Sequence, residues 1–127
     1  MRLNQVTLPC RDLDRGIAFY QLLGLRLIVD SRPDYARLLC PDGDSTLSLH
    51  RVDGTAGDFV PVIYFEHEQL DTEVERLSAA GVVFDTPPTD QSWLWREASL
   101  RDPDGNRLIL FHAGHNRLNP PWRLTDQ

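Results

Sequence analysis

Lysine is absent from the 127 residues, so all 13 cationic side chains are arginines, set against 19 Asp and Glu for a net charge of −6. An acidic balance without clustered bases excludes a nucleic-acid binder, because phosphate recognition needs concentrated Lys and Arg. Several arginines sit beside acids (Arg11-Asp12, Arg96-Glu97, Arg101-Asp102) and read as a mixed solvated surface. No apolar run approaches the roughly 20 residues that cross a bilayer. The start, Met1-Arg2-Leu3-Asn4-Gln5, lacks the basic and apolar regions of a signal peptide, so a cytoplasmic location without membrane partners is expected. With two cysteines, Cys10 and Cys40, the chain is no disulfide scaffold, and free half-buried thiols without a catalytic role are expected. Gly-rich phosphate loops, nucleophile elbows and His-Glu-x-x-His motifs are also missing.

What is present is an ordinary globular composition, 41% hydrophobic and 25% charged, long enough to bury a core without a disulfide or metal staple. It is organised by a repeat. Leu13-Asp14 is followed ten residues after the Asp by Gly24, and Leu70-Asp71 ten residues after the Asp by Gly81. Each glycine leads into an apolar stretch and later into a Pro-Asp-Gly turn, Pro41-Asp42-Gly43 and Pro103-Asp104-Gly105. Leu13, Ile17, Tyr20 and their neighbours fit a helical face after Asp12, with Asp12 or Asp14 as N-cap and Gly24 as stop. Val74, Leu77 and Ala80 do the same for a helix over 71–80, with Glu73 and Glu75 near its positive end and Gly81 as stop. Strands are expected at about 3–8, 25–30, 36–40 and 45–51, then at 60–66, 82–84, 94–101 and 107–112.

The pattern is β-α-β-β-β, twice: module one over 1–52, a linker over 53–59, module two over 60–112, and a tail over 113–127. The Pro87-Pro88 segment reads as a loop, and the tail, holding Pro120-Pro121-Trp122, as extended.

The paired modules, the first-helix sequence Asp-Leu-Asp-Arg-Gly-Ile-Ala-Phe-Tyr (12–20) and Asp-Pro-Asp-Gly-Asn (102–106) before the last strand resemble the vicinal-oxygen-chelate superfamily. That superfamily includes glyoxalase I, bleomycin-resistance proteins, fosfomycin-resistance enzymes and extradiol dioxygenases. The resemblance spans roughly residues 3–112 and implies an α+β fold in which two βαβββ modules form an open eight-stranded barrel, as a single domain. It also implies a divalent cation held by His or Glu from the first and last strand of each module. At the matching positions this chain offers Gln5, Ser48, Val62 and Ile109. Two of these are weak neutral ligands and two cannot bind a metal, so the usual metal site is expected to be lost and no metal ligand is assigned. Strand periodicity leaves open a displaced site using Gln5, His50 and a carboxylate.

Alternation also selects candidates for chemistry. If Val62 faces the cavity, so do Tyr64 and Glu66, the latter a candidate base; Ile63 and Phe65 then face the helix. In the stretch 90–100, Leu94, Ala98 and Leu100 form the helix-facing set, leaving Trp93, Trp95, Glu97 and Ser99 on the cavity face. Two indoles and a carboxylate suit a flat apolar ligand bearing a hydrogen-bond donor or positive charge. Arg96 reads as an outer-face ion-pair partner, His67 as a surface or capping residue, and His112 as structural. The catalytic candidates are Glu97, Glu66 and His50; the ligand-binding candidates are Gln5, Ser48, His50, Tyr64, Trp93, Trp95, Glu97 and Ser99.

The expected function is binding of a small organic ligand in a half-barrel cavity without the usual metal. Two alternatives stand beside it. One is a divalent-metal-dependent lyase, isomerase or dioxygenase of the glyoxalase type using displaced ligands; the other is metal-free acid–base catalysis by Glu97, Glu66 or His50. A homodimer is expected, in part because Trp122 needs somewhere to bury its ring.

Overall fold

The structure, a computed structural model, describes residues 4–54 and 61–123. Leu3 and Val60 of the expected first strands, most of the linker and the last four residues of the tail lie outside the described residues. The chain divides into two compact units, Met1–Pro61 with Asp102–Asn106, and Val62–Arg101 with Arg107–Gln127. Among the described residues no helix is long and apolar enough to cross a membrane.

Unit one holds β1 (Gln5–Cys10), α1 (Leu13–Leu22), β2 (Arg26–Ser31), β3 (Tyr35–Leu39) and β4 (Thr46–Arg51). Its sheet has the order β1-β4-β3-β2, with β1 parallel to β4 and the other pairs antiparallel. Unit two repeats this plan with β5 (Val62–Glu66), α2 (Leu70–Ala79), β6 (Phe84–Asp90), β7 (Arg96–Arg101) and β8 (Arg107–His112), in the order β5-β8-β7-β6 with β5 parallel to β8. Two helices and eight strands in two four-stranded sheets are what the repeat foretells.

The repeated glycines act where the sequence places them. Asp12 caps α1 by accepting the Arg15 N–H at 3.3 Å. Gly24, at φ 95°, then lets Leu25 bond back to the Tyr20 carbonyl. Gly81, at φ 98°, does the same for α2, where Val82 bonds back to Leu77. His67, expected as a surface or capping residue, accepts the N–H of Gln69, the N-cap residue of α2, on Nδ1 at 2.9 Å.

Each helix covers one sheet face. In unit one Leu8, Cys10, Leu47 and Leu49 are buried, and Gly16 of α1 comes so near that a Cβ there would lie 2.8 Å from Cys10 Sγ and 3.0 Å from Leu49 Cδ1. In unit two the buried Leu70, Val74 and Leu77 of α2 are matched by Ala98, Leu100, Leu108 and Leu110. Both cysteines are free; burial, reinforced by Asp104, pushes the Cys10 thiol up to about 12.

The turn Asp102–Asn106 carries the polar core of unit one. The Asp102 carboxylate is buried and accepts the Asp104 and Asn106 backbone N–H groups on Oδ1, both at 2.9 Å. Its Oδ2 accepts the Tyr20 hydroxyl and Asn106 Nδ2, both at 2.8 Å, and Asn106 Nδ2 also reaches the Pro9 carbonyl at 3.1 Å. Four donors replace the water that burial removes. Burial, reinforced by the charge of Asp102, pushes the Tyr20 phenol well above its ordinary range.

Five expectations are corrected. Pro87-Pro88 is not a loop but part of β6, which replaces the shorter strand expected at 82–84. β6 pairs on one side only, and its register skips from Phe84 to Thr86 and from Thr86 to Thr89. An edge strand with skipped pairings tolerates two residues without N–H donors. The strand expected from 94 starts at Arg96, because Gln91 N–H bonds the Trp95 carbonyl and Leu94 N–H bonds the Gln91 carbonyl, closing a turn over 91–95. Leu94 therefore does not face the helix; it is 47% exposed at φ 66°. The tail is not extended throughout: Gly114–Arg117 forms a 3-10 helix, whose start is capped by Glu66 Oε2 accepting the Ala113 and Gly114 N–H groups at 2.8 and 2.9 Å.

Candidate functional site

The helices take one face of each sheet, so chemistry is left to the opposite face, and the two units furnish that face differently. In unit two, Val62, Tyr64 and Glu66 alternate with Ile63 and Phe65 along β5, and Tyr64 and Glu66 are register partners of Ile109 and Phe111 on β8. Ile109, Phe111 and Ala113 form a small buried apolar cluster against which Val62 and Trp95 pack. Trp95 stacks on Phe111 with ring centroids 4.5 Å apart and planes 16° from parallel. Tyr64 meets both rings edge-on, at 6.0 Å from Trp95 and 5.7 Å from Phe111. Phe111, which completes this wall, was missed in the sequence; its register with Glu97 and its period-two spacing from Ile109 would have found it.

Glu97 lies in the same wall, 8% exposed. Trp93, although placed in the turn, donates its indole N–H to Glu97 Oε2 at 2.7 Å. Among the described residues no Arg or His side chain pairs with this carboxylate within 4.0 Å. Ser99 is drawn instead toward the edge strand, its Oγ 2.7 Å from Thr86 Oγ1. Glu66 is committed to the tail: Oε2 holds two backbone N–H groups, and Oε1 lies 3.6 Å from Arg117 Nε.

On the helix side of unit two, Arg96 bridges Asp71 and Asp90 at 2.9 and 3.0 Å. With His112 it borders a depression at the start of α2. Its positive charge is already matched there.

In unit one the face opposite α1 is polar. Gln5 Oε1 accepts the Thr46 hydroxyl at 2.9 Å. Tyr35 and Arg37 on β3 are register partners of His50 and Ser48 on β4. Tyr35 Oη is 2.8 Å from Ser48 Oγ and accepts Arg37 Nε–H at 3.0 Å, while the Arg37 guanidinium lies 5.6 Å from the Tyr35 ring centre. Partial burial pushes the Tyr35 phenol up, but its hydrogen bonds with Ser48 and Arg37, together with the arginine charge, hold it below the ordinary phenol value. Ser48 has no exposed surface, so it positions Tyr35 and offers nothing directly to a ligand. His50 is exposed beside Tyr35.

The residues at the four implied metal positions do not suit a divalent cation. In unit one, Gln5 is a neutral amide, and Ser48 is buried against a phenol that a guanidinium already touches; that fixed positive charge repels a second cation. In unit two, Val62 and Ile109 carry no donor atom. Among the described residues no three His, Cys, Asp or Glu side chains are grouped so that they could hold a metal ion.

A family model described as the Glyoxalase/Bleomycin resistance protein/Dioxygenase superfamily matches residues 2–110. No curated protein matches the chain significantly. Among solved structures, the fold is similar to a glyoxalase/bleomycin resistance protein/dioxygenase from Nocardioides, with a TM-score of 0.78, 23% identity, and 98% of this chain and 89% of that one covered. It is also similar to a bleomycin resistance determinant encoded on the transposon Tn5 (TM-score 0.76, 22% identity, 90% and 99% covered). A bleomycin-binding protein complexed with bleomycin gives a TM-score of 0.71 at 22% identity, with 88% and 98% covered.

Proposed function

The chain belongs to the glyoxalase/bleomycin resistance protein/dioxygenase superfamily, and from that premise we propose that it binds a small organic molecule on the aromatic wall of unit two, without a divalent metal. The observation that carries this reading is Glu97: a carboxylate 8% exposed, held at one oxygen by the Trp93 indole and set among Tyr64, Trp95 and Phe111. A carboxylate removed from water and given one neutral donor is costly to maintain. A ligand that brings a hydrogen-bond donor or a positive charge to the second oxygen removes that cost. The surrounding rings then supply contact area for a flat apolar body.

The wall is reachable, since Tyr64 is 50% and Trp93 44% exposed. One protein of the same fold is a bleomycin-binding protein complexed with bleomycin. Of the three catalytic candidates, Glu97 is the one on this wall; Glu66 is occupied by the tail and His50 belongs to unit one. The chain's own residues therefore bind and orient a ligand, and Glu97 is the group placed to hold a ligand proton. We take the protein as a homodimer, with the exposed Trp122 ring as the surface that a second copy would cover; sedimentation checks this.

Titration with bleomycin and with a panel of flat aromatic amines, followed by tryptophan fluorescence, tests the reading. A saturable change is expected that Trp95→Ala abolishes and Glu97→Gln weakens about tenfold. An unaltered titration in both variants moves the site elsewhere. Metal analysis of protein purified without chelator tests the other half: a stoichiometric divalent ion lost in Glu97→Ala or His50→Ala would refute the metal-free reading.

A further inference from the structure

The arginines of this acidic chain are mostly matched. Arg32 bridges Asp14 and Asp30, Arg51 bridges Asp34 and Asp53, and Arg96 bridges Asp71 and Asp90. Arg37 is different. Among the described residues it has no carboxylate within 4.0 Å, although carboxylates outnumber cations in the chain. Arg15, Arg26, Arg107 and Arg123 share that lack, but they are exposed, and water solvates them; Arg37 is half-buried. Its Nε–H is spent on Tyr35 Oη at 3.0 Å, which fixes the plane of the guanidinium. The Nη1 and Nη2 edge has no hydrogen-bond partner among the described residues. A guanidinium oriented by a phenol, partly removed from water and left with its forked edge unused, is built to receive a two-oxygen anion.

We propose that Arg37 and Tyr35, on the face of β3 opposite α1, form a binding site for the carboxylate group of a small organic acid. Ser48 is the positioning residue. Its hydroxyl lies 2.8 Å from Tyr35 Oη, and either oxygen can be the donor. With an anion present, Ser48 donates to Tyr35 Oη, and the Tyr35 hydrogen turns to one anion oxygen while the Arg37 edge holds the carboxylate. The low-lying phenol proton affinity at Tyr35 accords with a strong donor of this kind. Everything needed lies on two adjacent strands of unit one, and none of it belongs to the aromatic wall of unit two. It also contains no tryptophan, so its occupation is read by different signals from those that test that wall.

The test is NMR of the arginine Nε–H resonances in the full chain, titrated with benzoate and, separately, with neutral methyl benzoate. The Arg37 resonance is expected to shift and saturate with benzoate in the millimolar range, and not with the ester. Arg37→Gln should weaken benzoate binding by at least about tenfold and Tyr35→Phe by severalfold, while Arg26→Gln, an exposed arginine on β2, leaves it unchanged. Three results each overturn the proposal: no saturation of the wild-type resonance up to tens of millimolar benzoate, equal binding of the ester, or undiminished benzoate binding by a folded Arg37→Gln protein. Tighter binding of inorganic phosphate than of benzoate would overturn the assignment to a carboxylate. The wild-type titrations decide the matter even where a variant fails to fold.

Discussion

Tyr20→Phe removes one oxygen atom from the core of unit one and isolates what the polar centre contributes. Tyr20 is fully buried, and its hydroxyl donates to Asp102 Oδ2 at 2.8 Å. After the substitution Asp102 keeps Asn106 Nδ2 on the same oxygen and two backbone N–H groups on Oδ1. The carboxylate is therefore weakened in its support but not abandoned. A hydrogen bond to a charged group contributes about 1.5–3 kcal/mol. The phenylalanine ring recovers a little by burying no hydroxyl, so a loss of about 2 kcal/mol is expected from a domain whose total stability is of the order of 5–15 kcal/mol. In urea, with a slope of about 1–3 kcal/mol per molar, the unfolding midpoint falls by roughly 1 M while the slope is unchanged.

The pH dependence supplies a second check. The folded Tyr20 phenol is pushed above its unfolded value near 10, so its contribution is fully present below pH 10. Above that pH the unfolded chain releases a proton that the folded chain keeps, and stability falls. Phenylalanine cannot show this loss, so the gap between wild type and variant should narrow above pH 10, by at most about 1.4 kcal/mol per pH unit. A variant within about 0.5 kcal/mol of wild type at pH 7, or a gap that widens in alkali, refutes the assigned role of the hydroxyl.

Gly16→Ala adds a methyl 2.8 Å from Cys10 Sγ and 3.0 Å from Leu49 Cδ1. Overpacking of about 1–3 kcal/mol outweighs the roughly 1 kcal/mol that alanine gains in a helix, so net destabilisation by urea unfolding is expected. Leu94→Gly relieves a left-handed leucine at φ 66° that is 47% exposed; a gain of about 1 kcal/mol in thermal or urea unfolding is expected, and a loss would show that the side chain holds the turn. In the folded protein Cys10, buried and with its thiol pushed up to about 12, should resist a thiol reagent at pH 8. Its stabilising preference for the protonated form is complete below pH 9 and lost as pH rises toward 12, so alkaline destabilisation beginning near pH 9 persists in Tyr20→Phe and is absent from a folded Cys10→Ala protein.

Much of the fold was legible because its signals are short-range. Gly24 and Gly81 announce positive φ, Asp12 and Asp14 a cap that Asp12 supplies, and the matched spacing a duplicated module. Alternation correctly put Tyr64 and Glu66 on one face of β5 and Ile63 and Phe65 on the other. It failed where a strand was interrupted. Counting back from Ala98 gives Leu94 the helix face, but the Gln91–Trp95 hydrogen bond ends β7 at Arg96, and no periodicity survives a turn. Pro87-Pro88 misled for the opposite reason: proline forbids a donor, not a strand, and β6 is an edge whose register skips there. In the candidate sites, alternation found the faces but not the partners. Trp93 reaches Glu97 from outside the strand, and Glu66 is taken by the tail. Arg37 and Tyr35 carry no motif or spacing signal: they meet Ser48 and His50 only through the register of β3 with β4.

The two modules repeat every element in the same order, yet the faces opposite their helices differ in character: phenol, guanidinium, amide and hydroxyls in unit one, and indole, phenol, phenyl and aliphatic carbons around one carboxylate in unit two. The division of labour within each sheet explains how this is possible. Buried leucines hold each module from the helix side, joined in unit one by the close approach of Gly16, and those positions alternate with the ones on the opposite face. A strand residue there can change chemistry without disturbing the helix contact, provided its polar atoms find partners. Each non-standard choice does find one: Ser48 has Tyr35, Gln5 has Thr46, Glu97 has Trp93 and Glu66 has the tail N–H groups. Among the described residues no buried side-chain nitrogen or oxygen is left without a hydrogen bond. Unmatched polar capacity among the described residues therefore lies at atoms that water can reach, among them the forked edge of Arg37 and the second oxygen of Glu97. These are opposite charges on separate modules, which is why a carboxylate probe and a cationic aromatic probe should find different sites on the same chain.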